Sequence, residues 1–133
     1  MRIHGAKVFD LSGDFVERDI LVEGERFSAG PTSGEEVDAS GCYAIPGLVD
    51  VHFHGCVRYD FSTAEQSGLE AMARYQAENG VTSLCPATMT LSEEQLTGAC
   101  RRMGGYRAEG TAELVGINLE GPFVSPNKLG AQN

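Results

Sequence analysis

The stretch LVDVHFHG, residues 48–55, sets two of the chain's three histidines one residue apart at the end of an apolar run. In an extended strand the side chains alternate faces, so Leu48, Asp50, His52 and His54 share one side while Val49, Val51 and Phe53 share the other. One face is apolar, and the other ends in two imidazoles that can both ligate a divalent cation.

Two later segments follow the same plan. Thr88 lies near the end of VTSLCPATM, and Glu120 closes ELVGINLE, so His54, Thr88 and Glu120 are spaced by 34 and 32 residues. A barrel of eight βα units divides its typical ~250 residues into units of roughly 31. The spacing predicts an α/β fold: the start of a (β/α)8 TIM-type barrel. In the third segment Val115, Ile117 and Leu119 face covering helices, while Gly116, Asn118 and Glu120 face inward. Parallel barrels gather the C-terminal ends of their strands at one mouth, which predicts that His52, His54 and Glu120 meet there. An unpaired carboxylate is costly to bury, so an inward Glu120 calls for a cation, a metal or a hydrogen-bond network. Two imidazoles and a carboxylate suit Zn2+ or Fe2+. The alternative is a hydrogen-bonded pair of strand histidines and a solvent-facing glutamate.

Helical patterns fill the intervals. In STAEQSGLEAMARYQAENG, Ser62 and Glu65 have the spacing of a capping box, Leu69, Met72, Ala73 and Gln76 fall on one face, and Asn79-Gly80 supplies the stop. A second helix is expected from Ser92, paired with Gln95, to Gly104-Gly105, with Gly98 costing about 1 kcal/mol relative to Ala in its middle. Residues 1–44 read differently. KVFD, DILVEG and CYAIPG carry the apolar residues, and LSGD and AGPTSGEE carry turn formers. This predicts a small β-sandwich-like module over 1–44, followed by three βα units over 45–133.

The 133 residues are 41% hydrophobic and 22% charged, as in ordinary globular domains. A net charge of -9 argues against non-specific nucleic-acid binding, which relies on clustered Lys and Arg. No apolar run reaches the roughly 18 residues needed to span a bilayer, and the first residues lack a signal-peptide core, so no membrane partner and a cytoplasmic location are expected. Cys42, Cys56, Cys85 and Cys100 form no CxxC pair and read as reduced thiols. His4 reads as a surface histidine, Cys56 as a small packing residue and Arg58 as a solvated cation.

At IPGLVDVHFHG, with its Pro-Gly, Asp and H-x-H, the chain resembles the first barrel strand of the amidohydrolase superfamily. NGVTSLCPATMT and INLEGPFVSPNKLGAQN narrow the resemblance to N-acetylglucosamine-6-phosphate deacetylases, from Ala44 to Gln132 strongly and over residues 1–44 weakly. The resemblance implies Glu120 as the principal metal ligand, His52 and His54 as holders of a second metal, and Ala131 and Gln132 as contacts of the amino-sugar phosphate substrate. It implies one or two divalent ions, Zn2+ or Fe2+, and a homo-oligomer at full length. Asp50 would support the site through hydrogen bonds. GCVRYDF departs from the glycine-rich version of the family.

The implied chemistry is hydrolysis of an acetamide, for which a divalent metal activates water and polarises the carbonyl. The general base, by resemblance an Asp ending an eighth strand, and two further His ligands are absent from these residues. The chain therefore reads as a fragment, inactive alone, that stops at Asn133. Two other readings are a relative acting on a cyclic amide, against which LEGPF counts, and a non-catalytic module pairing through an exposed strand edge.

Overall fold

A computed structural model describes residues 1–107 and 109–132. Asn133, at which the second predicted module closes, lies outside the described residues. The chain divides into two compact units, Met1–Pro46 and Gly47–Asn133.

The first unit is built from β1 (Arg2–His4), β2 (Lys7–Phe9), β3 (Phe15–Glu17), β4 (Ile20–Glu23), β5 (Arg26–Phe27), β6 (Glu36–Asp38) and β7 (Tyr43–Ala44). They form two small sheets, in the orders β5-β4-β1-β6 and β3-β2-β7. Val8 and Ala6 are its most buried apolar residues, and Phe15 stacks edge-on against both Phe9 and Tyr43. One turn chemistry occurs twice. Asp10 accepts from the backbone N–H and hydroxyl of Ser12, and Asp38 does the same for Ser40. These side chains close local rings in place of ladder bonds, which is why LSGD ends a strand. The serine hydrogen bonds hold both carboxyls below the usual carboxylate range.

The second unit contains β8 (Leu48–Asp50), β9 (Gly55–Cys56), β10 (Tyr59–Asp60), α1 (Gln66–Glu78), β11 (Val81–Leu84), α2 (Glu93–Gly104) and β12 (Glu113–Leu114). β11 pairs in parallel with β8 on one side and with β12 on the other, so the sheet order is β12-β11-β8. Parallel neighbours need a crossover, and α1 and α2 supply one each. The fold is mixed α/β.

The core lies between the helices and the sheet. Leu69, Met72 and Ala73 form the apolar stripe of α1 and are buried with Phe61, Leu84, Met103, Tyr106 and Ala112. Gln76 is only half-buried. Gly47 has a packing reason: a Cβ there would collide with the Thr82 side chain on β11.

The two capping expectations part ways. At α2, Ser92 accepts from the Gln95 backbone N–H at 3.3 Å, and the Gln95 side chain accepts from the Ser92 N–H at 3.2 Å, a complete capping box. At α1 the expected box of Ser62 and Glu65 does not form. The helix starts one turn later, at Gln66, with Glu65 at the N-cap position and no side-chain cap. Ser62 is 2% exposed, and its hydroxyl instead accepts from the Met89 N–H at 3.0 Å. Asp60 takes over the turn, accepting from the backbone N–H groups of Ser62, Thr63 and Ala64. Tertiary burial outranks the local pattern there.

Regular pairing in LVDVHFHG ends at Asp50, so His52 and His54 stand on the strand's exit and not within the ladder. The third segment likewise has only two residues of regular strand, yet its backbone keeps tracking β11. Val115 donates to Leu84, Asn118 donates to Pro86, and Thr88 donates to Asn118, around an isolated parallel bridge of Ala87 and Asn118. Ile117 packs against the core, whereas Val115 and Leu119 are 57% and 55% exposed.

Candidate metal centre

His52, His54 and Glu120 come from the exits of two strands that do not touch, with β11 between them. The parallel register brings them together. Glu120 Oε1 lies 3.1 Å from His52 Nε2 and 3.6 Å from His54 Nε2. The two rings stand edge to face, with centroids 5.0 Å apart. One donor atom from each residue falls within 4.8 Å of the others, the only such His, Cys or carboxylate group among the described residues.

The backbone around this cluster is pinned. Asp50 Oδ1 accepts from the His52 N–H at 3.0 Å, fixing where the chain turns out of β8. Thr88, fully buried at the end of the central strand, accepts from the Glu120 N–H at 3.1 Å and donates to the Glu120 carbonyl at 3.4 Å. Gly121, just past Glu120, has φ of 79°, and a Cβ there would come within 2.9 Å of Thr90. That accounts for the glycine in LEGPF.

Side chains orient the ligand atoms. Asn118 Nδ2 lies 3.1 Å from His52 Nδ1 and 3.3 Å from the Val51 carbonyl. Gln132 donates from Nε2 to Glu120 Oε2, and its Oε1 accepts from the Thr90 N–H at 3.1 Å. His54 Nδ1 is buried without a hydrogen-bond partner. The donor set fits a borderline divalent cation: two imidazole nitrogens face one carboxylate oxygen, and the opposite side of the carboxylate is held by a neutral donor.

The remaining candidates are placed as follows. Ala131 is exposed beside Gln132. Cys56 sits against the core and directs its thiol toward the Met72 carbonyl at 3.9 Å, outside the donor group. Burial, assisted by the charge of Asp50, pushes that thiol up from its ordinary value. Arg58 is exposed at the tip of the β9–β10 hairpin, which the sequence reading did not foresee. Its two turn residues, Val57 and Arg58, have φ of 47° and 71°. Such turns ordinarily announce themselves as Asn-Gly, and here the signal is missing. The supporting roles of Thr88, Asn118 and Gln132 toward one another's neighbours were also missed, because each is a contact across the sheet or a long loop.

Most of the chain is similar to known proteins. The chain is 33% identical over 134 residues to the N-acetylglucosamine-6-phosphate deacetylase of Bos taurus, covering 90% of this chain and 32% of that protein. Against the Bacillus subtilis deacetylase it is 36% identical over 107 residues, 77% of this chain and 27% of the relative. The chain's relatives are N-acetylglucosamine-6-phosphate deacetylases. It spans roughly a quarter to a third of the length of these deacetylases. No family model matches the chain. The crystal structure of the Pasteurella multocida deacetylase superposes with a TM-score of 0.86 at 24% identity, over 99% of this chain and 37% of that one. A D-hydantoinase from a Bacillus species follows with a TM-score of 0.58 at 30% identity, over 89% of this chain and 26% of the other.

Proposed function

We propose that this chain is the first part of a metal-dependent deacetylase that hydrolyses the acetamide of N-acetylglucosamine 6-phosphate to glucosamine 6-phosphate and acetate. The observation that carries the reading is the convergence of His52, His54 and Glu120 at the exits of two parallel strands, in a chain whose relatives are deacetylases of that name. β8, β11 and β12 are then the first three strands of a (β/α)8 barrel, with residues 1–44 as the small β module and 45–133 as the barrel's start. Glu120, His52 and His54 hold one or two divalent ions, Zn2+ or Fe2+. Ala131 and Gln132 are the proposed contacts of the amino-sugar phosphate.

A bound divalent ion would supply a polarised carbonyl and an acidified water. The share of this chain is orientation. Asp50 and Thr88 fix the backbone beside His52 and Glu120, and Asn118 and Gln132 aim the two side chains. The resemblance assigns proton transfer to an Asp outside these residues, so the isolated 133-residue chain would be inactive. The net charge of -9 speaks against a nucleic-acid partner. Among the described residues no helix is long and apolar enough to cross a membrane. A cytoplasmic homo-oligomer acting in amino-sugar metabolism completes the proposal.

A cyclic-amide hydrolase is the second reading, favoured by the D-hydantoinase superposition but at the lower TM-score. The longest natural protein containing this chain, loaded with Zn2+, should release acetate from N-acetylglucosamine 6-phosphate and leave hydantoins intact. Ring opening of a hydantoin without acetate release would reverse the assignment.

A further inference from the structure

We infer that Gln132 is a positioning residue that fixes Glu120 as a ligand through a single carboxylate oxygen, an inference that rests on the metal-site reading above. The argument begins with the polarity of a carboxamide. A backbone N–H can only donate, so the atom of Gln132 facing Thr90 N at 3.1 Å is the oxygen, Oε1. The other end, Nε2, then necessarily faces Glu120 Oε2 and donates to it. Two partners of opposite polarity therefore fix the amide, and the amide fixes the carboxylate.

The consequence falls on the two oxygens of Glu120. Oε2 is occupied by Gln132, while Oε1 faces His52 Nε2 and His54 Nε2 at 3.1 and 3.6 Å. A carboxylate free to turn could offer either oxygen or both; this one presents Oε1. The donor is neutral, so it orients the carboxylate without cancelling the charge that attracts a cation, as Lys or Arg would. The bond also ties the loop after Glu120 back to the exit of β11, because Thr90 anchors the far end of the amide. Both polar ends of the Gln132 side chain are engaged, and its backbone N–H donates to the Leu129 carbonyl at 3.1 Å, which leaves the backbone of Ala131 to meet a substrate.

The test is metal affinity, measured with Zn2+ by competition against a chromophoric chelator in the longest natural protein containing this chain. The variants are Gln132→Ala, Gln132→Met, which keeps the shape and loses the hydrogen bonds, and Glu120→Gln. Gln132→Ala and Gln132→Met should each bind Zn2+ on the order of 10-fold more weakly. Excess Zn2+ should restore kcat, with KM unchanged throughout. Wild-type Zn2+ affinity together with a raised KM would overturn the inference and make the side chain a substrate contact. Loss of folding in the metal-free forms of both variants would overturn it in favour of a structural role. Failure of the metal reading looks different: Glu120→Gln would then bind Zn2+ as wild type does.

Discussion

The hydroxyl of Thr88 holds the peptide of Glu120 from both sides, accepting from its N–H at 3.1 Å and donating to its carbonyl at 3.4 Å. Thr88 is fully buried just past the central strand, so the exit of the third strand is registered against that of the second by one side chain. Thr88→Val keeps the shape and leaves the Glu120 backbone groups without this partner. We expect a loss of about 1–3 kcal/mol in urea unfolding together with weaker Zn2+ binding. Thr88→Ser, which keeps the hydroxyl, should retain most of both.

Asn118 offers a test of how His52 is oriented. A ring that ligates a metal through Nε2 carries its proton on Nδ1, whereas Asn118 meets that atom at 3.1 Å with Nδ2, a donor fixed by the Val51 carbonyl. A carboxylate at that position would accept this proton and make the imidazole a better ligand. Asn118→Asp, which replaces that donor with an acceptor, should therefore tighten Zn2+ binding several-fold in chelator competition.

The β9–β10 hairpin carries measurable backbone strain. Val57 is β-branched and sits at φ of 47°, followed by Arg58 at 71°. Each such residue costs on the order of 1 kcal/mol or more relative to Asn or Gly. The double substitution Val57→Asn, Arg58→Gly should raise the thermal midpoint by a few degrees. An unchanged or lower midpoint would show that the Val57 and Arg58 side chains contribute contacts that outweigh the strain.

Much of the site was legible because it rests on period-2 alternation. His52, His54 and Glu120 share the faces that alternation assigns them, even though regular pairing stops at Asp50 and at Leu114. α2 was legible because its cap is local: Ser92 and Gln95 need only each other. Ser62 carried the same signal and lost it to burial beside Met89, a partner 27 residues away. The Val57-Arg58 turn was illegible because neither residue favours positive φ. Thr88 and Gln132 act across 32 and 12 residues, at distances that no local pattern encodes.

The sheet edge has its own consequence. β12 pairs only with β11 among the described residues, and Val115, Leu119 and Phe123 are 57%, 55% and 97% exposed. Open edges with apolar neighbours recruit further strands. The isolated 133-residue chain should self-associate in sedimentation, and a monodisperse monomer with cooperative unfolding would show that its three parallel strands suffice.

The central claim is that Glu120 anchors a metal on which acetamide hydrolysis depends. It is tested most directly by metal content and acetate release in the longest natural protein containing this chain, compared with its Glu120→Gln variant. A neutral amide is a poorer ligand than a carboxylate and cannot offset the ion's charge. Glu120→Gln should lose bound metal and more than about tenfold of the deacetylase activity while folding is kept, and His52→Asn should be milder. Equal metal content and equal activity in wild type and Glu120→Gln would contradict the account.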